Sequence, residues 1–224
     1  MILFAKAPDP GSAKSRLQPL LTPEERGRLQ EALILDTLHL TDPLPCRRIL
    51  ACTPRVDHPF FARCARERSL RLIRQEGETL GDRMRNAFSW GFLQGFQKVV
   101  LIGSDAPTLP VAFIQEAFDR LKETALVLGP SVDGGYYLIG ARPPLADLFS
   151  GIPWGGDRVL TSTLRKITAE KIDCYLLPFW YDIDRPNDLI FLREVLALTE
   201  RQGKPLPKET WRFLQTLSWE GRGG

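Results

Sequence analysis

Histidine is nearly absent from this chain, with only His39 and His58 among 224 residues. Two are too few for a histidine-based metal site or for separate acid and base roles, so any chemistry must rest on Asp, Lys, Arg and backbone groups. The four cysteines, Cys46, Cys52, Cys64 and Cys174, include no C-x-x-C pair and no zinc spacing, and read as reduced, mostly buried thiols. An excess of one charge is also missing. With 30 Lys and Arg against 27 Asp and Glu, the net charge of +3 creates no global field for nucleic acid or an anionic membrane. Neither a basic stripe nor clustered stacking aromatics marks a nucleic-acid partner. No apolar run approaches the ~20 residues needed to cross a bilayer. The opening "ILFA" meets Lys6 at once, unlike the long apolar core of a signal peptide. The expectation is a cytoplasmic protein without a membrane span, its oligomeric state, homodimer included, left open.

The size and the 43% hydrophobic content suit one α/β domain spanning 1–224. "ILFA" reads as a short buried strand. "TPEERGRLQEALILDTLHL" supplies Thr22 as N-cap, Pro23 in the first turn and Glu25 as the capping-box partner, followed by Leu29, Leu33 and Leu40 on one stripe. "RRILACT", "KVVLIG" and "ALVLG" are further apolar strands, separated by helices around "HPFFARCARER", "AFIQEAFDRLKE" and "ETLGDRMRNAFSWGFLQGF", the last carried by Leu80, Met84, Ala87 and Phe88. Strands apolar along their whole length, alternating with helices, predict a parallel sheet covered on both faces. Beyond "GGYYLIGA" the rhythm loosens: "DRVLTSTLRKI" reads as helix, "CYLLPFWYDID" as extended chain, and two helices precede a fraying "EGRGG" tail. The working division is a nucleotide-binding half, about 1–130, and an acceptor-side half, about 131–218.

Five stretches carry candidate chemistry. In "KAPDPGSAKSR", Lys6, Lys14 and Arg16 surround a turn stiffened by Pro8 and Pro10, Gly11 permits close approach of the backbone, and Ser12 is placed to cap a short helix. Such a loop can hold a pyrophosphate. It is not a P-loop, because Pro8 and Ala13 fill the glycine positions, and G-x-G-x-x-G is absent altogether. In "VVLIGSDAPTLP", Ser104 and Asp105 fall at the carboxyl end of a central strand, where α/β sheets bind ligands, and Asp105 suits a hard cation that bridges phosphates. In "LGPSVDGGYYLIG", Asp133 precedes Gly134, Gly135 and Tyr136 and is available to a sugar hydroxyl or a metal. In "YDIDRPND", Asp184 is the better second metal ligand, while Asp188 complements a helix N-terminus. "IPWGGDRVL" adds Trp154, whose ring can stack on a sugar, and Asp157. Plainer readings stand beside these: a solvated basic turn, a helix-capping Asp105, an ordinary Asp-Gly hairpin and a core tryptophan.

Taken together and in order, "KAPDPGSAKSRL", "LGDRMRNAF", "LIGSDAPTL", "LGPSVDGGYYLIG", "PWGGDRVL" and "DIDRPNDL" resemble the bacterial DUF2064 family. That family is similar to nucleotide-diphospho-sugar glycosyltransferases, and some members are assigned to arsenosugar biosynthesis. The match spans roughly residues 1 to 195. It implies a glycosyltransferase-A (GT-A) fold, a three-layer α/β/α sandwich around a mixed, mostly parallel sheet. A more distant similarity runs to phospholactate guanylyltransferases and molybdenum-cofactor nucleotidyltransferases. Two positions depart from the family pattern: Ser15 stands where threonine is usual, and Gly156 replaces a threonine of the tryptophan block. The D-x-D of many such glycosyltransferases is reduced here to Ser104-Asp105-Ala106. The resemblance implies that Lys6, Lys14 and Arg16 hold nucleotide phosphates, with Pro8, Gly11 and Ser104 shaping that site. Asp105, joined by Asp184, would hold Mg²⁺ or Mn²⁺, and Asp133 would orient or deprotonate an acceptor flanked by Gly134, Gly135, Tyr136, Trp154 and Asp157. The implied activity is metal-dependent glycosyl transfer from a nucleotide-diphospho-sugar to a small acceptor. Nucleotidyl transfer from NTP to a phosphorylated small molecule is the alternative, and a nucleotide-sugar sensor without turnover the third.

Overall fold

The computed structural model describes residues 1–219; the "EGRGG" tail lies outside them. Seven strands form one sheet: β1 (Ile2–Lys6), β2 (Ile49–Thr53), β3 (Arg71–Arg74), β4 (Val99–Ile102), β5 (Leu126–Pro130), β6 (Tyr136–Ala141) and β7 (Cys174–Leu176). Their order across the sheet is β3-β2-β1-β4-β6-β5-β7. Only β6 runs antiparallel to its neighbours. The helices are α1 (Pro23–Thr41), α2 (Pro59–Arg68), α3 (Leu80–Leu93), α4 (Val111–Arg120), α5 (Val159–Ala169), α6 (Pro186–Arg201) and α7 (Lys208–Gln215). This is the mixed, mostly parallel three-layer sandwich that the family resemblance implies.

The strands divide their apolar residues between two faces with a period of two. Leu3, Leu50, Val100, Ile102 and Val127 pack against α1, α2 and α4 through Ile34, Leu38, Phe60, Phe61 and Ile114. Their chain neighbours Ile2, Ile49, Val99, Leu101 and Leu126 pack against α3 and α5 through Met84, Phe88, Leu160 and Ile167. Full burial of β4 on both faces accounts for its unbroken Val-Val-Leu-Ile. Helix α1 has a second apolar side, Leu29 and Leu33, which meets Leu189, Leu192 and Leu196 of α6 and Phe213 and Leu214 of α7. Leu80 departs from the predicted stripe: it stands at the start of α3 and is 46% exposed.

Topology brings the functional loops together. After β3 the chain crosses to β4 on the far side of β1, which makes the β1/β4 boundary a switch point at the carboxyl edge of the sheet. The register Leu3↔Ile102, Lys6↔Thr53 and Cys52↔Arg74 sets Asp105, Lys6, Thr53 and Gln75 at one level along that edge. Strand β6 returns by a hairpin to fill the gap between β4 and β5, which delivers residues 131–135 to the same edge.

Buried Asp36 of α1 accepts the backbone N–H groups of Glu209 at 3.0 Å and Thr210 at 2.7 Å, fixing the first turn of α7. Removing it leaves one buried and one partly buried donor unpaired, so Asp36→Ala is expected to cost about 2 kcal/mol. A lowered urea midpoint with unchanged slope is the measurement that checks this.

Candidate active site

The basic loop after β1 is held in place by α1. Arg26 is buried and donates from Nε to Ala13 O at 3.2 Å and from its terminal nitrogens to Leu21 O at 3.2 Å and Pro10 O at 3.4 Å. At Gly27 a Cβ would lie 2.8 Å from Pro8 O, so the loop rests directly on the helix. Sequence reasoning missed this clamp, because an Arg-Gly pair inside a helix carries no motif. One expectation for the loop needs correction. Ser12 caps nothing; the short 3₁₀ turn Ser15–Leu17 begins at Lys14 without a side-chain cap. The left-handed residue is Lys14, φ 44°, while Gly11 has open space around it and no positive φ.

That backbone conformation aims Lys14 inward. Its side chain is 5% exposed, and Nζ lies 2.9 Å from Asp105 Oδ1 and 3.1 Å from Asp184 Oδ1. It also donates to Ile183 O at 2.7 Å. Burial opposes the charge on Lys14, but the two carboxylates outweigh it and hold the ammonium above its ordinary pKa. The reciprocal effect on Asp184 is a lowered pKa: burial raises it, while Lys14, then Arg16 and Arg185, pull it down. Arg16 reaches Asp184 Oδ2 at 3.3 Å, and Lys6 donates to Ser12 O at 2.6 Å. Backbone joins the two carboxylate segments as well, since Ile183 N donates to Asp105 O at 2.8 Å. Ser104 is buried between Gln30 and Asp105.

The residues around Lys14 open onto a cleft of about 440 Å³, lined also by Thr53, Gln75, Leu80 and Arg83. A second chamber of about 800 Å³ adjoins it and shares Arg16, Leu80, Tyr136, Asp182 and Asp184. Asp133, Gly135, Trp154, Gly156, Asp157 and Arg185 line this second space. The structure therefore brings the predicted phosphate loop, Asp105 and Asp184 together, and sets Asp133, Tyr136, Trp154 and Asp157 next door.

Asp133-Gly134 does form a hairpin turn, and the hairpin also faces the chamber. Asp133 Oδ1 accepts from Gly135 N at 3.0 Å. Gly134, expected on the acceptor side, is a packing residue instead: its φ is +92°, any Cβ would collide with the backbone of Asp157, and its carbonyl accepts from Leu160 N at 2.8 Å. Trp154 is no free stacking platform either. Its Nε1 donates to Phe149 O at 3.3 Å, its ring covers Gly81 where a Cβ would collide, and Tyr136 meets it edge-on with centroids 6.4 Å apart. Asp188 Oδ2 accepts from Asp184 N and Arg185 N at the head of α6, the capping role expected of it.

Asp182 was the carboxylate passed over in the sequence, one of three in a single turn. Burial, then repulsion from Asp105, Asp133 and Asp184, pushes its pKa up to about 7. The cluster thus carries more negative charge than Lys14 offsets. Hard oxygen donors with surplus charge, Asp105 39% and Asp184 28% exposed at the side chain, fit a divalent cation of the Mg²⁺ or Mn²⁺ type. Among the described residues no group of three or more His, Cys, Asp or Glu side chains is gathered as a complete ligand set. A cation held here would draw its remaining ligands from water or substrate.

The raised Asp182 pKa carries a sign for stability. Folding favours the protonated form, so this contribution is full below the unfolded pKa near 4 and is lost as pH rises through about 7. Asp182→Asn is expected to raise the melting temperature at pH 8, by the equivalent of about 1–3 kcal/mol after allowance for the chamber's solvent. The gain should vanish by pH 4. Thermal unfolding of both proteins across that range checks it.

Comparison with known proteins agrees with the fold. A family model described as "Uncharacterized protein conserved in bacteria (DUF2064)" matches residues 37–156. The 3-phospho-D-glycerate guanylyltransferase of Phenylobacterium zucineum is 28% identical over 193 residues, 80% of this chain and 83% of that one. The 2-phospho-L-lactate guanylyltransferase of Methanobrevibacter ruminantium is 23% identical over 145 residues, 61% of this chain, and the match spans 62% of that relative's length. A crystal structure from Desulfovibrio desulfuricans G20, provisionally described as a nucleotide-diphospho-sugar transferase, superimposes with a TM-score of 0.86 at 28% identity, covering 99% of this chain and 94% of that one. Among the described residues no helix is long and apolar enough to cross a membrane. With more than half of its length matched by the family model, the chain belongs to the bacterial DUF2064 family and has the fold of the nucleotide-diphospho-sugar transferases.

Proposed function

We propose that this protein is a nucleotidyltransferase, joining the nucleotidyl group of an NTP to a small acceptor with release of pyrophosphate. The observation that carries the reading is Lys14, an ammonium shared by Asp105 and Asp184 at the mouth of the first cleft, with Lys6 and Arg16 beside it. Three cations around one turn suit a triphosphate. The names of the guanylyltransferase relatives point the same way.

In this reading Lys6 and Arg16 bind the phosphate oxygens, Lys14, whose three donors are taken by Asp105, Asp184 and Ile183 O, acts on them through its charge, and the Arg26 clamp keeps their loop in the binding shape beforehand. Asp105 and Asp184 would hold a divalent cation, which when bound neutralises charge on the phosphates and on the departing pyrophosphate. Lys14 and Arg16 act on the same charge as it develops. An acceptor oxygen in the second chamber attacks the α-phosphorus, the bond from that phosphorus to pyrophosphate breaks, and Asp133 orients the acceptor or takes its proton. The hydrogen bond from Gly135 N fixes one oxygen of Asp133 and leaves the other for this work.

Glycosyl transfer from a nucleotide-diphospho-sugar is the second reading. It is favoured by the second chamber, where the Asp133, Asp157 and Asp182 carboxylates line a space suited to sugar hydroxyls.

One assay separates them: pyrophosphate release from GTP, CTP or UTP, against nucleoside-diphosphate release from nucleotide-sugars, each with Mn²⁺ and a mixed acceptor pool. Pyrophosphate release is the expected result, and release of nucleoside diphosphate alone would replace this reading with glycosyl transfer. At a nucleotide concentration of 100 Kd with Mn²⁺ the gain in stability should be about 2.7 kcal/mol, on the order of 5–10 °C in melting temperature. Asp105→Asn should remove the metal-dependent part of that gain and lower turnover by roughly 10²–10³. An unchanged metal-dependent shift in this variant would remove Asp105 from the site.

A further inference from the structure

Gln75 lies directly after β3 and lines the first cleft, three strands away from Asp105 at the same level of the sheet edge. Three strand spacings amount to about 14 Å. The cations and carboxylates that suit phosphate and metal gather at the β1/β4 end. A nucleotide whose phosphates lie there must extend its base toward β2 and β3, where Thr53, Gln75, Arg83 and the exposed side chain of Leu80 form the walls.

Gln75 is 8% exposed, and its amide is fully committed on one side. Nε2 donates to Ala51 O at 2.8 Å and to Ala5 O at 3.3 Å, and its backbone N donates to Cys52 O at 2.9 Å. Two backbone carbonyls require the NH₂ group, so the side chain has one orientation, and the remaining polar atom is the carbonyl Oε1. No described side chain or backbone group donates to that oxygen, and it is not sealed from the cleft as the buried unpaired atoms are. A buried side chain therefore presents a fixed acceptor and no donor to the space where a base would sit. Beside it stands Arg83, whose Nε donates to Gly77 O at 3.1 Å and whose guanidinium approaches Thr53 Oγ1 at 3.5 Å, leaving donors toward the same cleft.

We infer that Gln75 is the base-reading residue of this site, its Oε1 accepting the ring N–H of an oxo base, guanine or uracil, while Arg83 donates to the adjacent ring carbonyl. The usual pairing of glutamine with adenine needs the glutamine NH₂ as well as its oxygen, and that NH₂ is occupied here. Arginine in turn favours a carbonyl oxygen such as guanine O6. The inference rests on the nucleotide reading proposed above.

Isothermal titration with Mn²⁺ tests it, using pyrophosphate, ADP, CDP, GDP, UDP, and the ring-methylated N1-methyl-GDP and N3-methyl-UDP, whose N–H is replaced. GDP or UDP should bind most tightly of the nucleotides, and ring methylation of that nucleotide should weaken it about tenfold or more, the loss expected when a buried acceptor is left unpaired. Gln75→Met should cause a similar loss, abolish the difference between the methylated and unmethylated nucleotide, and leave pyrophosphate affinity unchanged. Tightest binding of ADP or CDP, or equal affinity for the methylated nucleotide, overturns the inference without any variant. A Gln75→Met variant that weakens pyrophosphate as much as nucleotide assigns the residue a structural role and overturns it too. Failure of pyrophosphate and every nucleotide to bind would instead refute the nucleotide reading itself.

Discussion

The site is organised around one buried ammonium. Lys14 Nζ sits among Asp105, Asp184 and the carbonyl of Ile183, so a single charge ties the loop after β1 to the turn after β4 and to the segment before α6. A buried charge without partners is very costly, and these three satisfy it. The left-handed backbone at Lys14 is what places the amine there, a sparsely populated conformation kept in place by its surroundings. Truncating either carboxylate would leave the other with Lys14 and the chamber's remaining acids, so the group behaves as one electrostatic unit.

Around that unit the molecule divides its labour by charge. The first cleft gathers Lys6, Lys14, Arg16 and Arg83 on the side of the parallel strands. The second chamber gathers Asp133, Asp157 and Asp182 on the side of the reversed strand. Asp182 and Asp184 line both; Lys14, then Arg16 and Arg185, hold the pKa of Asp184 down against its burial, while burial and then Asp105, Asp133 and Asp184 drive that of Asp182 up. Two carboxyls so close in sequence respond oppositely because Asp184 is paired with Lys14 and Arg16, whereas burial and three neighbouring carboxylates act on Asp182.

Much of this was legible in the chain. Unbroken apolar runs such as Val99–Ile102 marked central strands, the Thr22–Glu25 capping box marked the start of α1, and the cations and acids at strand ends marked the edge where ligands bind. What stayed hidden depends on tertiary placement. Arg26 and Gly27 look like any helical residues until the loop is laid on them. Gln75 belongs to no motif, and only the register of β2 and β3 brings it to the cleft, while Arg83, inside the "LGDRMRNAF" block, was given no role there. Gly134 was placed on the acceptor side because a glycine's reason is invisible until its neighbour, here the backbone of Asp157, is known. The sequence preferred Asp184 to Asp182 as a ligand, but the burial and charged neighbours that separate the two belong to the folded chain.

The hairpin that turns β6 back between β4 and β5 has an evolutionary corollary. Asp133, Gly135, Tyr136, Trp154, Gly156 and Asp157 all lie within residues 133–157, while the basic loop, Gln75 and Arg83 lie before residue 90. A recombination or a run of substitutions confined to that later stretch can remodel one chamber without disturbing the loop that carries Lys6, Lys14 and Arg16. Variation within such a fold can then alter one chamber and leave its neighbour as it was.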